Sequence, residues 1–183
     1  MSVLALLAAA AGGTALEPVI VTATRTPRAE DEVLASVDVI AGDTLLRNPA
    51  SDLGDALRLV PGVEVARLGG PGQQTSVFLR GTESNHVLVL VDGLRMNPGT
   101  IGTAAIQNVA TEFVERVEVV KGPRSTLYGS DAIGGVINII TRGDADGASV
   151  QAGYGSFDTA NASFSAGFGD AQAGARIAAA WPA

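Results

Sequence analysis

The sequence predicts an α+β fold: a small domain built on a mixed sheet, followed by the first antiparallel strands of a transmembrane β-barrel. Three observations predict it. Between Val37 and Thr141, short β-branched runs alternate with helix signals and with turns marked by Gly and Pro. After Arg142 the pattern becomes a strict apolar–polar alternation, the two-residue period of a strand with unlike faces. Glycine supplies 23 of the 183 residues and aromatics only 4%, which suits turns and small-residue packing better than a helical bundle.

The composition also narrows function. A hydrophobic content of 46% is enough for one ordinary domain plus a small extra piece. The net charge of −7 and the absence of any Lys/Arg run leave no source for counterion-driven binding, so nucleic acid is not an expected partner. With no cysteine there is neither a disulfide nor a thiolate metal site, and no cofactor or resident metal is expected.

Residues 1–15 read as a signal peptide. Val3 to Ala11 is apolar but too short to span a bilayer as a helix, and Gly13-Thr14-Ala15 offers a small-x-small cleavage pattern. No Lys or Arg precedes the apolar run, so a plain hydrophobic N-terminus is the competing reading. Residues 16–32 follow as a separate segment. Leu16 to Ala23 is β-branched, is bracketed by Pro18 and Pro27, and is set apart by the polar stretch Arg25 to Glu32. It reads as a free extended peptide, or alternatively as an edge strand of the next domain, where Pro18 at a strand start is acceptable.

Residues 33–142 form the mixed domain. Leu53, Ala56, Leu57 and Val60 share one helical face, with Ser51 or Asp52 as N-cap and Pro61-Gly62 as the stop, which predicts a helix of about two turns. Val87 to Val91 is a continuous β-rich run, expected to be buried on both faces, and Asp92-Gly93 after it signals a hairpin turn. Val114 to Val120 and Val136 to Ile140 are two more strands, with a short helix around Ser125 to Tyr128 between them. Residues 143–183 hold about three strands. Val150, Ala152 and Tyr154 alternate with polar or small neighbours; so do Ala160, Ala162, Phe164, Ala166 and Phe168, and then Ala173, Ala175, Ile177, Ala179 and Trp181, with Gly174, Arg176, Ala178 and Ala180 between them. An alanine-rich apolar face with aromatics near its ends suits a lipid-facing wall better than a soluble sandwich, the alternative for this pattern.

Five blocks in this order resemble those of the TonB-dependent outer-membrane receptors. They are Asp52-Leu-Gly-Asp-Ala-Leu-Arg-Leu-Val-Pro-Gly-Val63, Phe78-Leu-Arg-Gly81, Val89-Leu-Val-Asp-Gly-Leu-Arg95, Glu115-Arg-Val-Glu-Val-Val-Lys-Gly-Pro-Arg124 and Tyr128-Gly-Ser-Asp-Ala-Ile-Gly-Gly-Val-Ile-Asn-Ile-Ile-Thr141. All five are similar to segments of that family's plug domain. Ahead of them, Glu17, Pro18, Val19, Ile20, Val21, Thr22 and Ala23 resemble the TonB box. Within the family, Ser84 to Asn97 and Gly122 to Gly135 are most similar to cobalamin (vitamin B12) receptors, and siderophore and haem receptors share parts of both.

The resemblance implies energised uptake of a scarce nutrient at the outer membrane of a Gram-negative bacterium, with TonB and its ExbB/ExbD motor as partners and lipid around the barrel. Cobalamin is the first ligand it suggests and an iron chelate the second; a stand-alone periplasmic plug module without transport is the competing class. Ligand contacts then fall on Gln73, Gln74, Thr75, Ser76 and Asn97, while Leu68 stands where cobalamin binders carry a polar amide. Arg80 and Arg124 match plug arginines that pair with barrel glutamates. A family barrel of about 22 strands needs far more chain than residues 143–183, so the sequence is expected to be the front part of a receptor.

Other signals carry less. There is no GK[ST] ending or GxGxxG spacing for a nucleotide, and no nucleophile–base pair near His86, so an enzyme is not expected. Asp144-Ala-Asp-Gly147 lacks the later ligands of a calcium loop, and Arg142-Gly-Asp144 reads as an accident of a linker.

Overall fold

The run at Val136–Ile140 has only one strongly polar side chain to offer water, Asn138, and the chain buries the run by placing a strand on each edge and a layer on each face. The computed structural model describes residues 20–21, 28–29, 35–47, 52–70, 72–143, 147–154, 160–169 and 174–181. In chain order the strands and helices are β1 (Ile20–Val21), β2 (Arg28–Ala29), β3 (Ser36–Ala41), α1 (Gly42–Arg47), α2 (Leu53–Leu57), β4 (Val63–Arg67), β5 (Thr75–Leu79), β6 (Val87–Val91), β7 (Leu94–Arg95), β8 (Val114–Lys121), α3 (Ser125–Tyr128), β9 (Gly135–Thr141), β10 (Gly147–Tyr154), β11 (Ala160–Gly169) and β12 (Gly174–Trp181).

The main sheet has five strands in the order β3-β8-β9-β6-β7. It is mixed: β9 runs parallel to β6 and antiparallel to β8. One face carries Val87, Val89, Val117, Val119, Ile137 and Ile139, which pack with Leu53, Ala56 and Leu57 of α2, with Val63, Val77 and Leu79 of the β4–β5 hairpin, and with Ile106. The other carries Leu88, Leu90, Val120 and Val136 against Ala132 and Tyr128. Full burial of Leu53 and Leu57, both at 0% exposure, contributes about 1.5–3 kcal/mol each.

Helix α2 is shorter than its two-turn expectation. Asp52 is the N-cap, its carboxylate accepting from Asp55 N at 3.0 Å. After Leu57 the bonds tighten to Leu59 N→Ala56 O (3.1 Å) and Val60 N→Leu57 O (3.1 Å), ahead of Pro61, as helix ends do when the chain cannot continue as α. Val60 still reaches the core, so the spacing located the apolar face correctly even where the helix stops. Strands β6, β8 and β9 and helix α3 lie where periodicity puts them.

Asp92 and Gly93 both have positive φ (49° and 79°), the requirement of a type I′ hairpin turn. The Asp92 carboxylate then accepts from Thr141 N (2.9 Å) and Thr141 Oγ1 (2.7 Å), tying this turn to the end of β9. The start of β9 is crowded. A Cβ on Gly135, whose φ is +153°, would lie 2.4 Å from Val120 O, and one on Gly134 would lie 2.1 Å from Thr82 Oγ1.

Strands β10, β11 and β12 form a separate antiparallel sheet. Its register sets Val150 opposite Phe164 and Ala166 opposite Ile177, so the apolar members of the alternation share one face. That face is open: Val150 is 75% exposed and Tyr154 77%.

The crowding at β9 makes a direct prediction for stability. Gly135→Ala is expected to lose roughly 2–5 kcal/mol through backbone strain and overpacking. Gly70→Ala, with nothing within 4 Å of the added Cβ, is expected to stay within about 0.5 kcal/mol of the parent. Urea unfolding midpoints measure both; equal midpoints would refute the packing described for β9.

Candidate functional site

The β4–β5 hairpin has two chemically different ends. At one, Arg67 pairs across to Thr75 and the connecting turn carries residues 68–70 and 72–74. The Arg67 guanidinium is held by Asp52 (2.6 Å) and Asp55 (3.2 Å) at the start of α2. Thr75 is buried, its Oγ1 donating to Gln73 O at 3.0 Å and its N–H to Gln107 Oε1 at 3.4 Å. The second bond fastens the hairpin turn to the loop at 98–107, so two loops far apart in sequence present a common end.

Asn97 anchors that second loop from beneath. It is 5% exposed, its Oδ1 accepts from Val89 N (2.7 Å), and its Nδ2 donates to Val87 O (3.0 Å) and Gly102 O (2.6 Å). Every polar atom of the amide is therefore engaged inside the domain. Asn97, expected among the ligand contacts, has its amide committed to the loop and to the strand beneath it. Thr75 is likewise committed internally. Gln73 and Gln74 are exposed, and Ser76 is half-buried. Leu68 and Ile101 stand out from the two loops at 78% and 67% exposure.

The other end of the hairpin is cationic. Arg80, at φ 50°, donates its backbone N–H to Gly62 O at 2.9 Å. Its Nη1 passes 3.8 Å from where a Cβ on Gly122 would sit, two residues before Arg124. Arg124 Nη1 reaches only the carbonyl of Pro123, at 3.3 Å, and its Nε is buried with no partner among the described residues. Neighbouring Lys121 is neutralised, bonding to Pro61 O at 3.0 Å and to the carboxylate of Asp38. The Arg80 guanidinium thus lies beside the Gly122–Arg124 turn, and neither arginine meets a carboxylate among the described residues.

At the N-terminal segment, Ile20 and Val21 are extended, as expected, but not free. They pair antiparallel with Arg28 and Ala29, Ile20 opposite Ala29 and Val21 opposite Arg28. This two-stranded ladder is separate from the main sheet, so the edge-strand alternative is not realised either. Glu17, Pro18, Val19, Thr22 and Ala23 lie outside the described residues.

The family TonB-dependent Receptor Plug Domain matches residues 29–136, more than half of the 183 residues. The chain belongs to the TonB-dependent receptor plug family. Solved structures agree with this fold. The chain is similar to the ferric yersiniabactin uptake receptor FyuA from Yersinia pestis, at 28% identity and TM-score 0.61 over 75% of this chain and 22% of that one. The siderophore receptor PirA from Pseudomonas aeruginosa is 31% identical at TM-score 0.53, over 70% of this chain and 24% of that one. FpvA of P. aeruginosa, solved with heterologous pyoverdines, superposes at TM-score 0.69 over 81% of this chain and 20% of that one, with 23% identity, a likeness of fold alone. The chain spans between a fifth and a quarter of the length of these proteins.

Gln107 and Arg67 shape the plug's loop end together with Asp52 and Asp55; the aspartates lie in the first family-like block, but no motif announces Gln107 or Arg67. The Thr75–Gln107 bond spans 32 positions, and only tertiary contact reveals it. Because Asn97 holds both β6 and the loop, Asn97→Ala is expected to cost about 2–4 kcal/mol in urea unfolding and to speed proteolysis within residues 98–105. Gln73→Ala is expected to change neither; an Asn97→Ala plug as stable and as resistant as the parent would contradict the anchoring role.

Proposed function

We propose that this chain is the coupling and gating portion of a TonB-dependent outer-membrane receptor that imports a metal chelate with energy delivered through TonB and ExbB/ExbD. On this reading residues 16–32 couple to TonB, residues 33–142 form the plug, and residues 143–183 begin the barrel wall of a Gram-negative outer membrane. The observation that carries the reading is the plug's two-ended hairpin. Uncharged loops tied together at one end suit ligand reception, and two arginines without carboxylates at the other suit attachment to an enclosing wall.

Each part has a physical role. The guanidinium fork of Arg80 and Arg124 is made for bidentate carboxylates, which a barrel lumen would supply. Gln73, Gln74 and Ser76 offer amide and hydroxyl groups to a ligand; Thr75 and Asn97 hold the loops that carry them. Val150, Tyr154, Phe164 and Ile177 expose an apolar sheet face of the kind that meets lipid. For the ligand, an iron–siderophore chelate is favoured over cobalamin. The similar proteins FyuA and PirA are siderophore receptors, and the resemblance of Ser84–Asn97 and Gly122–Gly135 to cobalamin receptors gains no support beside them.

Coupling would proceed by strand addition. The extended backbone at Ile20–Val21 offers N–H and C=O groups to a partner strand, and its own pairing with Arg28–Ala29 is only two residues long, a ladder too short to be stable by itself. In a receptor carrying this plug, Ile20→Pro removes one donor and fixes φ. Energised uptake is then expected to fall to the level of a strain lacking TonB, with chelate binding unchanged. Normal uptake by the variant rules out this segment as the coupling peptide.

A further inference from the structure

Resting on the receptor reading above, we infer that the plug selects for a metal chelate without net negative charge on its plug-facing side, a neutral complex with an amide or hydroxyl rim and an apolar edge. The two loops that present the common end, 68–74 and 98–107, contain no Asp, Glu, Lys, Arg or His. Arg67, which precedes the first loop, is already held by Asp52 and Asp55 and is only 14% exposed at its side chain. Glu83 lies in the turn that carries Asn85, whose Cβ lies 3.0 Å from where a Cβ on Gly102 would sit, and its carboxylate would repel an anion; Arg95, ahead of the second loop, is paired with Asp131. What the loops do expose is Leu68 and Ile101, at 78% and 67%, together with the amides of Gln73 and Gln74.

The chemistry of that surface is one-sided. An anionic chelate pressed against it loses hydration and gains no Coulomb partner from the plug, because burying charge is costly unless it is paired. A neutral chelate loses little there, covers the two aliphatic side chains, and exchanges water hydrogen bonds for bonds to glutamine amides. Asn97 and Thr75 keep the loops in place without adding charge, since their polar atoms are engaged inside the plug. Leu68 and Ile101 thereby become specificity-determining residues, and Gln73 the position at which charge preference can be rewritten.

The test uses the whole 183-residue chain, isotope-labelled and held in detergent micelles to cover the apolar face of β10–β12. Three diamagnetic probes are titrated at up to millimolar concentration: a neutral gallium(III) cyclic trihydroxamate, a trianionic gallium(III) tricatecholate, and cyanocobalamin as a neutral amide-rimmed ligand of a different source. One or both neutral probes are expected to shift the backbone amides of residues 68–74 and 98–105, with affinity unchanged within about twofold between roughly 0.05 and 0.5 M salt. The one that binds distinguishes a siderophore-type chelate from a corrinoid. The tricatecholate is expected to bind at least about tenfold more weakly. Leu68→Ser should weaken the neutral probe several-fold, and Gln73→Lys should tighten the tricatecholate about fivefold at low salt. A tricatecholate that binds the unaltered chain as tightly as the neutral probes, with steep salt dependence, overturns the inference and leaves the receptor reading standing. No response in either loop to any probe overturns the ligand-receiving role of these loops and the inference with it.

Discussion

The plug depends on the way β9 slides between its neighbours. Remove β9 and the five-stranded sheet separates into β3–β8 and β6–β7. Its first residues thread a gap that admits no side chain: Gly134 N donates to His86 O (2.9 Å), Gly134 O accepts from Gly122 N (2.9 Å), and both glycines abut Val120, Thr82 or Leu79. Glycine is required twice over at Gly135, by its positive φ and by the closeness of the Val120 carbonyl. With β9 seated there, Val136 packs on one face and Ile137 and Ile139 on the other, and the two apolar clusters share a single backbone.

From that sheet the loop geometry follows. Strand β6 lies beside β9, its Val87 and Val89 backbone groups hold Asn97, and Asn97 holds Gly102. On the same face of the sheet, α2 and the β4–β5 hairpin complete the core, and the Thr75–Gln107 bond joins hairpin to loop. The exposed residues of the loops are thus positioned by buried ones. This explains why Asn97 and Gln73, both polar loop residues in the sequence, have such different roles.

The contrast between the hairpin's ends has the same origin. Charges at the loop end cancel locally, as Arg67 and Arg58 meet Asp52 and Asp55, and the turn beyond them carries no charged residue. At the opposite end Lys121 is matched by Asp38, while Arg80 and Arg124 meet no carboxylate among the described residues.

Local pattern determined a good part of this protein. The β-branched runs of β6, β8 and β9, the Asp92-Gly93 turn, the helical face of α2 and the period-two alternation of β10–β12 all arise from forces acting over a few residues, which is why the sequence alone carries them. So does family membership, through ordered blocks. Other features depended on distant partners. Strands β3, β4 and β5 are stable through pairing and packing across the chain, and their short runs carry little signal of their own. The self-pairing of Ile20–Val21 and the burial of Asn97 depend on which backbone groups come within reach, a matter no residue type decides by itself. Sequence named the polar loop residues; tertiary structure decided which of them are buried and which exposed, because exposure of a polar side chain is a property of its surroundings.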